Sequence, residues 1–323
     1  MTTATTADGA LLVSPDNFTR AESDLFFRNV VADGGFAGFR HHRELAPVDN
    51  QLVVRLNRDT LYSAGVFDLD AAPVTITLPD PGDRFMSMQI ITEDQYVPVV
   101  SYGAGSNVLN RDDIGTRYVM VGIRTLVDPR DPADLAIVHR LQDAVTVAQD
   151  DPGTFEIPHW DTASQAQVRN ALLQLAATLP DTRGMFGTKG NTDPVRRLIG
   201  SASAWGGNPE HDALYLNVNP RHNDGTTVYR LTVGDVPVDG FWSVTVYDAQ
   251  GYLTPNSRNA YSLNSTTAAR NADGAAVIQF GGCTDNTVNC LPITAGWNYM
   301  VRLYRPQPQL LDGRWAFPDA VAI

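Results

Sequence analysis

Lysine is almost absent from this chain: Lys189 stands alone among 24 basic residues, and the rest are arginine. That bias reads as the coding habit of a GC-rich genome and carries no chemistry. Cysteine is nearly as scarce, with Cys283 and Cys290 in "GGCTDNTVNCLP". Their spacing fits no common zinc pattern, and two thiolates cannot complete a tetrahedral site. The Gly- and Asn-rich loop can bring them together as a small disulfide, whereas thiols of a cytoplasmic protein are kept reduced, so both states stay open. No apolar run approaches the roughly 18 residues that a membrane span requires. "MTTATTADGALLVSPDNF" lacks a basic start and has only a short apolar patch at Leu11 to Val13, unlike a signal peptide. The expectation is a cytoplasmic protein, with export the alternative if Cys283 and Cys290 are bonded. Also missing are GxxxxGK[ST], GxGxxG after a strand, HExxH, GxSxG and CxxC. Their absence removes nucleotide hydrolases, dinucleotide oxidoreductases, zinc proteases and α/β-hydrolases, though not enzymes at large.

What is present describes a globular protein. The chain has 323 residues, 43% of them apolar, with twelve Phe, eleven Tyr and five Trp, and single cores stop growing at roughly 250–300 residues. Two domains are expected. The 36 acidic against 24 basic residues give a net charge of −12, which repels phosphate backbones and anionic lipid alike. Nucleic acid and membrane are therefore not expected partners.

Helical signals are few. One helix is predicted from Ser14 and Pro15 to the stop at Gly34 and Gly35, and a second from Asp131 and Pro132 through Ala148. A third runs from Thr162, where Thr162 and Gln165 form a capping box, to Pro180. The stretch 179–213 reads as a long Gly-rich loop with no more than a turn at Pro194 to Leu198. Most of the remainder alternates as strands, among them "QLVVRL", "PVTITL", "RFMSMQII", "YVPVVSY", "RYVMVGI", "TVYRLTV", "FWSVTVYD", "AAVIQF" and "NYMVRLY". The expected division is 1–160, an N-terminal helix plus a β-sandwich, and 161–323, a helical connector and a C-terminal β-sandwich.

The densest polar cluster is "NRDTLYSAGVFDLD", in which Asn57, Arg58, Asp59, Thr60 and Tyr62 follow the apolar "LVVRL". Two readings are open: an Asx-type turn that satisfies local amides, or a pocket wall at the exit of a strand. In the second reading Asp59 orients His41 or His42 as a proton-transfer couple. Arg58 or Arg84 then holds an anionic or carbonyl group, and Tyr62, Asn57 and Thr60 line the wall. Trp205, beside glycines, either walls a small-molecule site or packs in the core, and Trp242 is expected in the core. Histidines on separate elements leave a divalent metal open, although nothing in their spacing demands one.

Longer strings carry a resemblance. "LNRDTLYSAGVFDLDAAPVTITLPDPGDRFMSMQIITEDQY" is similar to domain-of-unknown-function family 1254. "VDGFWSVTVYDAQGYLTPNSRNAYSLNS", "NADGAAVIQF", "NCLPITAGWNYMVRLYRP" and "GRWAFP" are similar to family 1214. The chain thus resembles bacterial proteins that pair the two. The resemblance implies a mainly β fold with some α, with two jelly-roll-like β-sandwich regions joined by a helical connector. It implies no reaction. Some relatives look exported or lipid-anchored, and "NCLP" stands where many carry an aromatic before Leu-Pro.

Together these readings point to a small-molecule enzyme with an interdomain pocket, acting by acid/base hydrolysis or elimination on a polar or carbonyl-containing substrate. The competing reading is a non-catalytic glycan-binding or assembly module that uses Trp205 and Trp315. No cofactor is required by either, and a homo-oligomer is the expected assembly because uncovered sheet edges pair.

Overall fold

The computed structural model describes residues 4–51 and 54–323. In chain order the elements are α1 (Phe18–Ala32), β1 (Arg40–His41), β2 (Thr60–Asp68), β3 (Val74–Leu78), β4 (Met86–Thr92), β5 (Val100–Tyr102), β6 (Gly105–Leu109), α2 (Arg111–Ile114), β7 (Tyr118–Leu126), α3 (Pro132–Asp143), β8 (Thr146–Gln149), α4 (Thr162–Ala176) and α5 (Pro194–Ser203). They continue as β9 (Ala213–Val218), β10 (Tyr229–Val233), β11 (Trp242–Tyr247), β12 (Ser262–Asn264), β13 (Ala276–Phe280), β14 (Cys290–Leu291), β15 (Asn298–Tyr304), α6 (Pro308–Leu311) and β16 (Val321–Ala322). The fold is mainly β with some α. Among the described residues, no helix is long and apolar enough to cross a membrane.

The chain divides into two compact units. One comprises residues up to Arg43, Tyr62–Thr125 and Ala136–Glu210; the other comprises Glu44–Leu61, Leu126–Leu135 and His211–Ile323.

The first unit carries a five-stranded sheet in the order β1-β2-β7-β4-β5 and a three-stranded sheet in the order β6-β3-β8. Side chains of a strand alternate between faces. Val74, Ile76 and Leu78 of β3 thereby share one apolar core with Met86, Met88 and Ile90 of β4 and Val119, Val121 and Ile123 of β7. A separate cluster around Phe18, Leu172, Met185, Phe186 and Ile199 joins the helical elements. The predicted second helix stops at Asp143, because Thr146–Gln149 pairs with the open edge of β3. The predicted capping box is also replaced. Asp161 caps α4 by accepting from the Ser164 N–H, while the Gln165 amide donates to Glu22 and the Ala21 carbonyl. Within the expected long loop, α5 extends over ten residues. Asp193 accepts from the N–H groups of Val195 and Arg196, and Pro194 opens the helix, both favourable choices at a helix start.

The second unit carries two four-stranded sheets, β14-β13-β10-β16 and β12-β11-β15-β9. Leu231, Ile278 and Phe280 of one sheet pack with Val244, Val301 and Leu303 of the other in a single core. Strand β10 alternates as its sequence indicates, with Tyr229, Leu231 and Val233 buried and Arg230 and Thr232 exposed. Trp242 is core, at 2% exposure. Of the predicted strand "QLVVRL", Leu52 and Val53 lie outside the described residues, and Val54 and Arg55 form a turn. The backbone of Arg55 is left-handed, at φ 53°. The polar run from Asn57 to Thr60 therefore leads into β2; it does not leave a preceding strand.

Candidate functional site

Strands β11 and β15 are buried along their whole length, yet only one of their faces is apolar. Trp242, Val244, Val246, Tyr299, Val301 and Leu303 belong to the core. Period-two geometry places Ser243, Thr245 and Tyr247 on the opposite face, with Arg302 and Tyr304 from β15. Strand β12 adds Ser262 and Asn264, which sit opposite Thr245 and Ser243 in register. A buried polar face is costly unless its groups find hydrogen bonds.

Residues 55–59 supply many of those bonds. Arg302 Nη2 donates to the Arg55 carbonyl at 2.7 Å, and the Tyr247 hydroxyl donates to the Leu56 carbonyl at 2.8 Å. Arg55 Nη1 reaches Asn298 Oδ1 at 2.9 Å, and Asn57 Nδ2 donates to the Tyr304 hydroxyl at 2.9 Å. Arg302 is 3% exposed and also donates to Thr245 Oγ1 and the Tyr247 hydroxyl, at 3.0 and 2.8 Å. Burial works against its charge, but Tyr247, Tyr304 and Asp59 outweigh that cost and hold the guanidinium above its ordinary value. Burial pushes the Tyr247 phenol up as well.

Asp59 stands at the end of this seam and is 1% exposed. Its N–H donates to Asn57 Oδ1 at 2.8 Å, so an Asx turn is present, but Asn57 makes it and not Asp59 or Thr60 as the sequence reading expects. The carboxylate is not consumed by that turn. Oδ1 accepts from Ser262 Oγ at 2.8 Å and from Asn264 Nδ2 at 3.3 Å. Among the described residues, Oδ2 has no hydrogen-bond partner, and neither does the hydroxyl of buried Thr60.

A cavity of about 770 Å³ lies beside Asp59 and is lined entirely by the second unit. Three of the lining residues are arginines: Arg58, Arg130 and Arg258. Arg130 pairs with Asp128 at 3.1 Å and Arg258 with Asp285 at 3.5 Å. Arg58 instead donates to the Ala46 carbonyl and lies over the Tyr261 ring, 5.3 Å from its centroid. Among the described residues it has no carboxylate partner. Burial lowers its pKa below the ordinary arginine value, and such a group still keeps its charge at neutral pH. Part of the wall is the loop closed by the Cys283–Cys290 disulfide, in which Asp285, Thr287, Val288 and Asn289 line the cavity. Of the two cysteine states left open by the sequence, the bonded one is observed.

The remaining candidates belong to the first unit, and none lines this cavity. His41 Nδ1 is 2.7 Å from Ser63 Oγ, its partner across β1 and β2. Burial, and next the nearby Arg43 charge, lower its pKa. His42 Nε2 is 3.7 Å from Asp33. Tyr62 lies under the Arg124 guanidinium, 5.4 Å from ring centroid to Cζ, and the Arg84 N–H donates to the Pro81 carbonyl at 3.3 Å. Trp205 stacks on Phe26 at 4.4 Å and donates to Ser23 Oγ at 3.1 Å. Among the described residues, no three His, Cys, Asp or Glu side chains converge as a metal-binding group.

Ser262, Asn264, Thr245, Arg302, Tyr261, Arg130 and Arg258 were not singled out from the sequence. A signal for several of them was there: "WSVTVY" and "NYMVRLY" alternate apolar with polar or tyrosyl residues inside strands too central to face water.

Residues 36–111 match the family model described as "Protein of unknown function (DUF1254)", and residues 215–308 match "Protein of unknown function (DUF1214)". No curated protein matches the chain in sequence. Among solved structures, the chain is similar to the VPA0106 protein from Vibrio parahaemolyticus, with a TM-score of 0.73 at 15% identity over 96% of this chain and 97% of that one. It is also similar to an uncharacterised protein from Burkholderia cenocepacia, with a TM-score of 0.51 at 14% identity over 95% of this chain and 86% of that one. At these identities the likeness is one of fold.

Proposed function

We propose that this chain, which belongs to the DUF1254 family in its N-terminal part and to the DUF1214 family in its C-terminal part, is a small-molecule enzyme of hydrolase or lyase type. Asp59 is its acid/base and Arg58 its substrate anchor. One observation carries the reading: a carboxylate held on one oxygen by Ser262 and Asn264 keeps its other oxygen without a partner beside a cavity. An unpartnered buried polar atom is costly, and a fixed carboxylate in the wall of a cavity is equipment suited to general base catalysis.

The chemistry balances with this one group. In an elimination, Asp59 Oδ2 takes the proton from the carbon beside the substrate carbonyl or carboxylate, and the C–H electron pair becomes the double bond. The hydroxyl on the next carbon leaves with that proton as water, which restores the carboxylate. In a hydrolysis, Asp59 takes a proton from the water that adds to the carbonyl and passes it to the departing group. In both, Arg58 holds the oxygen on which negative charge rests or grows.

The non-catalytic reading relies on aromatic faces that are engaged elsewhere: Trp205 stacks on Phe26, and Trp315 packs edge-on with Phe317. That observation favours the enzyme. The disulfide adds a compartment to the proposal, since such bonds persist in oxidising surroundings, and we place the protein outside the reducing cytoplasm.

Asp59→Asn, assayed on a panel of hydroxy acids, esters and lactones that the wild type turns over, tests the site. The expected loss is at least about a hundredfold, in the range typical of a general base. Wild-type rates in a folded Asp59→Asn protein would remove the assignment. Variants of His41, His42, Tyr62, Arg84 and Trp205 form the comparison set.

A further inference from the structure

We infer that the cavity beside Asp59 takes a polyhydroxylated monocarboxylate, the chemical class of the sugar acids. This rests on the site reading above and adds the ligand to it. Charge gives the first constraint. Of the three arginines on the wall, Arg130 and Arg258 already face Asp128 and Asp285, so Arg58 is the cation left for a ligand. A guanidinium fork matches a carboxylate in shape as well as charge. A second anionic group on the ligand would meet the Asp59 carboxylate and be repelled, which sets the charge at one.

Asp59 gives the second constraint. A carboxylate oxygen only accepts hydrogen bonds, so where a ligand meets the Asp59 part of the wall it has to present a donor, and an uncharged hydroxyl supplies one next to an anion-binding arginine. The wall gives the third. Ser257 and Asn259 line the cavity with exposed side chains that make no hydrogen bond within the described residues, and they offer donors and acceptors to further hydroxyls. At about 770 Å³ the cavity lies within the roughly 300–1,000 Å³ range of sites that enclose drug-sized ligands. It is therefore larger than a two- or three-carbon hydroxy acid requires.

The test is isothermal titration calorimetry on the full chain with gluconate and glucuronate, the open-chain and ring forms of this class. Sorbitol and glucose keep the hydroxyls without the carboxylate, and hexanoate keeps the carboxylate without the hydroxyls. At least one sugar acid is expected to bind tenfold or more tightly than its neutral counterpart and than hexanoate, and Arg58→Gln is expected to weaken it by roughly tenfold or more. If Arg58→Gln does not fold, Arg58→Lys serves, with a smaller loss expected because the charge remains and the fork does not. Absence of binding by both acids overturns the inference, as do equal binding of sorbitol or hexanoate and an unchanged affinity in the arginine variant. Turnover of an unrelated substrate without sugar-acid binding sinks this inference and leaves the acid/base reading standing. Sugar-acid binding without turnover does the reverse.

Discussion

Ser262 holds Asp59: its hydroxyl donates to the carboxylate Oδ1 at 2.8 Å. The same hydroxyl lies 3.0 Å from Thr245 Oγ1, which accepts from buried Arg302 at 3.0 Å. The carboxylate and the guanidinium are thus joined through two hydroxyls. That arrangement leaves one carboxylate oxygen for other work, and it makes the seam's stability depend on several uncharged groups.

Ser262→Ala removes the shorter of the two donors to Asp59 and leaves only Asn264 on that oxygen. The expected cost is about 1–3 kcal/mol, read as a lower denaturant midpoint with an unchanged slope. A midpoint equal to the wild type would mean that Asp59 does not depend on this hydroxyl.

Arg302→Met takes away a buried charge, removes the donor to the Arg55 carbonyl and leaves Thr245 bonded only to Ser262 and Tyr247 to the Leu56 carbonyl. Leaving a buried carbonyl without its donor is expected to cost about 1–3 kcal/mol, measured by equilibrium unfolding. A loss below about 1 kcal/mol would show that the guanidinium contributes little to this face.

In the first unit, Asp24 is 1% exposed, and its Oδ2 accepts from Trp160 Nε1 at 2.7 Å. Burial raises its pKa from 3.8 to about 6. Because the folded value lies above the unfolded one, the folded state holds the proton more firmly. The contribution of Asp24 to stability is therefore greatest below about pH 4, declines as pH rises towards about 6, and stays lower above it, whereas carboxyls held below their ordinary range, such as Asp68, lose theirs as pH falls. The difference corresponds to about 3 kcal/mol. Asp24→Asn is expected to raise the melting temperature at pH 7 and to flatten its fall between pH 4 and 6. Buried Glu93, whose pKa is also raised by burial, leaves a residual slope of the same sign. An unchanged pH profile in the variant would remove Asp24 as the source.

Reduction of the Cys283–Cys290 bond, or its replacement by two serines, reopens a short loop. The expected loss is about 2–3 kcal/mol in the chain-entropy account, seen as a lower melting temperature with reductant. Any ligand of the cavity is expected to bind more weakly as well, since residues 285 and 287–290 form part of its wall. Unchanged melting on complete reduction would count against this.

The strands were largely legible because one face of each is apolar, and alternation of that kind survives in the sequence whatever lies opposite. Trp242 and the Tyr229, Leu231, Val233 face were placed correctly on that ground. Helix ends were less legible. Gln165 has the composition of a capping partner, yet a distant glutamate offers it a better bond, and α5 was hidden among glycines although Asp193-Pro194 is a sound start signal. The candidate site was half legible. Arg58 and Asp59 stand out as polar residues at a sheet entrance, but Ser262 and Asn264, about two hundred residues on, meet Asp59 only through tertiary pairing. No spacing rule connects them.

The bonds that seat residues 55–59 on the polar sheet face join positions 191 to 247 apart in sequence. During synthesis this arm leaves the ribosome long before β11 and β15 exist, and contacts of such separation form late and slowly. An oily arm would spend that interval seeking wrong company. Arginine, asparagine and aspartate can remain hydrated while they wait, so the residues that close the seam add no apolar surface to the nascent chain.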